Sequence, residues 1–251
     1  MGGNKMVKAK DHKLLTSGNP KVLKGQKKGY LTIILHLSPS TLNDTKTDLC
    51  KFSSPECRLG CLNNTGRGYF DKRVKAARRR KSNQFIEDPI LFISKLIQEI
   101  IYYENRARKK NLRLAVRLNG TSDINFYQTL INGKNIFQIL PHVQFYDYTK
   151  DLDIAEKSQK QKNHHITFSH SGRNSKECYT VASLFNIAVP FQVKKGETLP
   201  ASYYKLPVLD GDENDLRFLD KKNHVVGLRV KGIKQKKQVN NFIITISKKV
   251  A

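Results

Sequence analysis

Short apolar runs recur along the chain, each followed by polar residues and most separated from the next by a long spacer. They are YLTIILHLS (30–38), LRLAVRL (112–118), HVQFYDY (142–148), HHITFS (164–169), IAVPFQV (187–193) and KLPVLDG (205–211), with VVGLRVKG and NNFIITISK following. Runs of this length, rich in β-branched and aromatic residues and bounded by turn formers, predict strands. The spacers at 89–111 and 173–186 are too long for hairpins. Strands alternating with helical segments predict βαβ units, and so an α/β fold with a mainly parallel sheet, either TIM-like or a partial (β/α) barrel. A closed β-sandwich does not fit these spacers.

Two helices are expected before the second run. DKRVKAARRRKS (71–82) is strongly basic. The next starts with Asp88 as N-cap and Pro89 at the first helical position. Its Ile93, Leu96, Ile97, Ile100 and Ile101 recur at helical spacing and predict a core face, and RARKK closes it with charges that suit a helix C-terminus. Residues 1–29 are rich in Lys, Gly and Asn without sustained periodicity and read as a basic flexible arm, leaving 30–251 as a single α/β domain.

Charge limits the choice of partner. The chain has 46 Lys plus Arg against 21 Asp plus Glu, a net charge of +25. A field of that size attracts polyanions, of which nucleic acid is the commonest; the competing reading is a solvated Lys-rich surface. No uninterrupted apolar stretch follows the N-terminal lysines, and Lys95, Gln98 and Glu99 break the most apolar helix. Neither a secretory signal nor a membrane span is expected, which points to a reducing, cytoplasmic setting.

In parallel α/β folds the carboxyl ends of the strands form one face, and the polar residues there build the site. Here they are His36 and Ser38 after the first run, Asn119 to Asp123 after the second, Asp147 to Lys150 after the third and Ser169 to Ser171 after the fourth. Asp147, between two tyrosines, is the foremost single candidate, and Asp123 is either a site residue or the cap of a helix at INFYQTLI. The acidic cluster DGDENDLRFLD holds Asp210, Asp212, Glu213, Asp215 and Asp220, with no Glu where a calcium loop closes. An internal Asp215–Arg217 ion pair is expected there, with a divalent metal or substrate role as the alternative. His164 and His165 face opposite sides of their strand and make poor partners for one metal.

Three of the four cysteines, Cys50, Cys57 and Cys61, fall in the loop CKFSSPECRLGCLNNTGRG directly after the first strand. In a reducing setting a cluster of cysteines binds metal more often than it forms disulfides. Three thiols without a close histidine suit an iron–sulfur cluster whose fourth position is left to a remote residue or a bound molecule. Zinc, completed by His36 or Cys178, and redox or packing thiols stay open as alternatives. Arg67, Arg73, Arg78, Arg79, Arg80 and Lys81 continue from the loop as a phosphate-facing run, with Gly66 and Gly68 allowing close backbone approach.

Taken together, CLNNTGRG, VRLNGTSDI, QFYDYTK, ITFS and LDGDENDLRFLD followed by VVGLRVKG resemble the gene-product-88-like proteins of phages and mobile elements over roughly residues 31–232. The resemblance implies a phage-associated protein in the host cytoplasm. It marks the cysteine triplet, Arg67, Asn119, Asp123, Asp147, Lys150, Ser169, Asp210, Asp212, Asp215 and Arg217 as the family's characteristic positions. More distantly the chain is similar to radical S-adenosylmethionine enzymes, whose three cysteines after the first barrel strand hold a four-iron cluster. Those are spaced by three and two residues, whereas six and three intervene here.

The expectation is an iron–sulfur enzyme acting on nucleic acid or a nucleotide, with S-adenosylmethionine as a further cofactor. Cys50, Cys57 and Cys61 would hold the cluster, while Asp147, Asp123 and Lys150 would orient substrate or move protons. Asn119, Ser169, Asp210 and Asp212 would contact the cofactor. The rivals are a non-enzymatic nucleic-acid-binding protein stapled by zinc or a cluster, and a nuclease using Asp210, Asp212 and Asp147 around magnesium.

Overall fold

The computed structural model describes residues 13–18, 23–194, 196–230 and 241–245. Each expected run forms a strand: β2 (Tyr30–Leu35), β3 (Arg113–Arg117), β4 (Gln144–Thr149), β5 (His164–Ser169), β6 (Ile187–Gln192), β8 (Leu206–Asp210), β9 (Val225–Arg229) and β10 (Ile244–Thr245). Two short strands, β1 (Leu15–Thr16) and β7 (Ser202–Tyr203), complete one ten-stranded sheet among the described residues.

Its order is β1-β2-β3-β4-β5-β6-β9-β8-β7, with β10 pairing β6 off this path. From β2 to β8 every neighbouring pair is parallel. The sheet does not close into a barrel, which corrects the TIM-like expectation. The reason lies at its two ends, where β1 pairs antiparallel along β2 and β7 pairs antiparallel along β8. Each short antiparallel strand occupies the edge that barrel closure would need.

The basic segment forms α3 (Lys72–Glu87), capped by the Asp71 side chain. The next helix, α4 (Pro89–Arg108), starts as expected, with Asp88 accepting from the Leu91 amide. Two shorter helices precede them, α1 (Pro55–Leu59) and α2 (Gly66–Phe70). Further on come α5 (Ile136–Ile139), α6 (Leu152–Gln159) and α7 (Ser175–Val181). INFYQTLI, a possible helix from sequence, is irregular with one turn at 126–127.

The two faces of the sheet differ. Ile33, Leu35, Leu114, Val116 and Phe145 pack with Phe92, Leu96 and Ile100 of α4, and Ile166, Phe168, Val189 and Phe191 pack with Ile154 of α6 and Cys178 and Val181 of α7. Alternation sends Thr32, Ala115, Tyr146, Thr167 and Ala188 to the other face, which the strand register aligns. There Leu216 and Phe218, from the segment after β8, pack on Tyr30, Ala115 and Tyr146.

Residues 13–18, read from sequence as part of a flexible arm, are tied down instead. The amides of Leu14 and Leu15 donate to the Glu99 carboxylate at 2.7 and 3.1 Å, and both side chains are buried. Residues 1–12 lie outside the described residues.

Candidate functional site

A cavity of 940 Å³ opens at the carboxyl ends of the parallel strands. The strands bring Ile34 and His36 (β2), Arg117 and Asn119 (β3), Tyr148 and Lys150 (β4), Ser169 and His170 (β5), Ala188 and Pro190 (β6), and Leu228 and Arg229 (β9) to its wall. Six strands at about 4.8 Å spacing span about 24 Å. A flat sheet could not present them all to one volume of this size, so the sheet curls around this face while staying open.

The cysteine loop covers the mouth. Cys50, Cys57 and Cys61 all line the cavity, and short-range contacts fix the loop that carries them. Ser54 caps α1 by accepting from the Cys57 amide at 2.9 Å and donates to the Ser171 carbonyl beyond β5. Arg58 pairs with Asp48 at 2.8 Å and Arg173 with Glu56 at 2.6 Å. Arg78 donates to Asn63 at 2.7 Å, bracing the turn after Cys61. At Gly60 an added Cβ would lie 2.6 Å from the Phe242 ring, so the segment before β10 packs directly on the loop.

Asp123 accepts from the Thr149 hydroxyl at 2.7 Å and the Lys150 amide at 2.9 Å. Burial raises its pKa, against the pull of the Lys150 charge. Burial acts to lower the Lys150 pKa, while negative charge nearby, that of Asp123 and of the cysteines when ionised, acts to raise it. Lys150 and the three cysteines line the same cavity. Burial pushes the Cys50 thiol up to about 12 and also raises Cys61. These groups are neutral thiols by themselves and give up protons when a metal takes them.

Arg117 stacks 4.5 Å from the Tyr148 ring and lies 3.5 Å from Asp215, which accepts from the Tyr146 hydroxyl at 2.8 Å. The expected Asp215–Arg217 pair does not form. Arg217 is fully buried, lies 3.3 Å from Asp220 and donates to the Asn214 carbonyl, because the turn after Asp215 sends the two side chains apart. Sequence reasoning also passed over Arg117 itself. Its place two residues after Ala115 in LRLAVRL was the signal, because alternation puts both on one face, where they pair with Thr32 and Ile34.

The other expected site residues divide. Asn119, Asp123, Lys150, Ser169, Asp212 and Asp215 line the cavity. Asp147 faces the helices: its carboxylate accepts from the Asn119 amide at 2.6 Å and lies 3.5 Å from His164, which is stacked on Phe137. Asp210 stands outside the wall and pairs with Arg229 at 2.6 Å, while Asp212 accepts from the Arg229 amide. Asp147, Asp210 and Asp212 are therefore not gathered around one point, as a magnesium site would need. Cys178 is buried in the helix-side core, away from the cavity. His36 lines the cavity, and burial lowers its pKa to about 3, so it is neutral.

The basic run is split as well. Lys81 is 4% exposed and donates to the Leu14 carbonyl at 2.8 Å, because its position on α3 faces the β1 segment. Arg79 pairs with Asp44. Arg73 and Arg80 are exposed on α3, Arg78 is half-buried, and the Arg67 side chain lies outside the described residues.

The donor chemistry bears on what the loop can hold. Among the described residues no three His, Cys, Asp or Glu groups close around a single ion. Cys50, Cys57 and Cys61 line one cavity, and thiolates are ligands of zinc and of iron–sulfur clusters alike. Among the described residues no helix is long and apolar enough to cross a membrane.

No curated protein and no solved structure matches the chain. The family model described as gene product 88 matches residues 12–246, a span holding the cysteine loop, the strand ends and the acidic turn after β8. The chain belongs to the gene product 88 family, the phage and mobile-element family that its motifs resemble.

Proposed function

We propose that the protein is an iron–sulfur enzyme whose cluster is held by Cys50, Cys57 and Cys61 and whose substrate is a nucleotide or a nucleic acid. The observation that supports this reading is that Cys50, Cys57, Cys61 and Lys150 line one 940 Å³ cavity at the strand ends. When bound, a cluster supplies redox or radical chemistry that side chains cannot. Three cysteines would leave one cluster position to a bound molecule, and S-adenosylmethionine is the candidate there.

The chain's own residues do the rest. Lys150 offsets the charge that the thiolates would carry. Asp123 fixes the Lys150 backbone and Thr149 at the end of β4. Arg117, flat on Tyr148, offers a guanidinium edge to a phosphate or carboxylate entering the cavity. Asn119 is set by the Asp147 carboxylate behind it and by the Ile124 backbone, which makes Asp147 a positioning residue. Asp212 holds Arg229 on the far wall.

The test is anaerobic purification followed by a visible spectrum. Absorbance near 400 nm that bleaches on reduction supports the cluster, and a change in that spectrum on adding S-adenosylmethionine supports the open position. A colourless protein carrying one zinc per chain would replace this reading with that of a stapled binding protein.

A further inference from the structure

Apolar side chains stand exposed on the cysteine-loop side of the cavity. Leu62 is 63% exposed and Phe70 72%. Leu62, Asn64 and Thr65 line the cavity, and α2 packs against this turn so closely that a Cβ on Gly68 would lie 2.9 Å from the Leu62 carbonyl. Tyr69 and Phe70 form an edge-to-face pair with centroids 5.0 Å apart, and the Lys75 ammonium lies 4.9 Å over the Tyr69 ring. The exposed residues Lys72, Arg73 and Lys75 follow on α3. Arg73 touches Asp71 at 3.5 Å with its side chain 94% exposed, a contact too weak to neutralise it.

Aromatic faces set among cations, in a chain of net charge +25, match the chemistry of unpaired bases joined by phosphates. We infer that Phe70 and Tyr69, with Lys72, Arg73 and Lys75, form a docking strip for single-stranded nucleic acid that leads to the cavity mouth. Bases stack on the rings while the cations meet the phosphates. In a duplex the base faces are closed by their neighbours, and a 940 Å³ cavity takes a nucleotide but not a double helix. This inference rests on the proposed reading of the cavity and names the form of its substrate.

The test is fluorescence anisotropy with the full-length, metal-loaded protein at matched salt. The probes are labelled single-stranded DNA, single-stranded RNA of the same sequence, and the corresponding DNA duplex. At least one single strand should bind about tenfold more tightly than the duplex, and the DNA and RNA arms show which sugar is accepted. Phe70→Ala should weaken that binding about tenfold, the loss of one stacked base, and Phe70→Trp should restore it. Replacing Lys72, Arg73 and Lys75 by Ser should reduce the slope of log affinity against log salt by about 2. Equal or tighter binding of the duplex, or an unchanged affinity in Phe70→Ala, overturns the inference. Iron and sulfide contents of the same samples separate it from the reading it rests on. A colourless protein that still grips single strands through Phe70 refutes only the cluster, whereas a loaded protein without that preference refutes only the strip.

Discussion

The Asp123 carboxylate accepts from both the hydroxyl of Thr149 and the backbone amide of Lys150, clasping the loop after β3 to the end of β4. Removing it leaves two donors at a recessed site without their acceptor. Asp123→Ala should cost about 2–3 kcal/mol and lower Tm by about 5–10 °C. Asp123→Asn, which keeps a carbonyl acceptor, should lose less than half of that. Thermal unfolding of the three proteins checks the ranking, and equal losses would remove the clasp from the account.

Gly120 is set against β2 so tightly that a Cβ there would lie 2.6 Å from His36 Nδ1, Ile34 Cγ2 and the Leu35 carbonyl oxygen alike. One of these is backbone and cannot swing aside. Gly120→Ala should therefore destabilise by about 2 kcal/mol through overpacking, read as a lower denaturant midpoint at unchanged m-value. An Ala variant as stable as the parent would show that the cavity wall is looser than described.

Lys81 is buried beside Leu14, and burial, followed by the nearby Arg78, lowers its pKa to about 8 from an ordinary 10.5. Below pH 8 the ammonium is charged in both the folded and the unfolded chain, and folding bears the cost of burying it. Between about pH 8 and 10.5 the unfolded chain still binds the proton while the folded one has released it, so stability rises with pH. Relative to Lys81→Met, the wild type should gain about 3 kcal/mol across that window. The same substitution should leave the salt dependence of nucleic-acid binding unchanged, since Lys81 does not reach the surface. Parallel pH profiles for the two proteins would contradict the burial argument.

His165 lies on the inner face of β5, and burial lowers its pKa to about 4 from 6.5, with His164 and Arg217 adding to the effect. The folded chain keeps it neutral while the unfolded chain protonates it between pH 6.5 and 4. Stability should fall as pH drops through that window, and His165→Phe should flatten the fall. Chemical denaturation at pH 7 and pH 5 measures the difference. An identical loss in both proteins would assign acid sensitivity to other groups.

The sequence was most readable where period and punctuation agree. The βαβ rhythm, the Asp88–Pro89 helix start and the placing of the cysteine loop over the strand ends all follow from local signals. What escaped were relationships decided by pairing across the fold. Leu14 and Leu15 look like a basic tail until Glu99, 84 or more residues away, takes their amides. Asp147 sits at a strand end as a site residue should, but period-2 alternation within β4 gives Tyr148 to the cavity and Asp147 to the helices. Lys81 is one more cation in a basic run by composition, and only the packing of α3 against the β1 segment buries it. Barrel closure was undone by two-residue strands too short to register in any pattern.

Whether Cys50, Cys57 and Cys61 together hold the proposed iron–sulfur cluster is measured most directly by iron and acid-labile sulfide content. After anaerobic reconstitution the wild type should carry about four of each per chain. Cys57→Ala should lose most of both, as should Cys50→Ala and Cys61→Ala. Cys178→Ala should load fully, since that thiol lies in the core between α7 and the sheet. Iron retained in the Cys57→Ala variant, or absent from the wild type, would contradict the account.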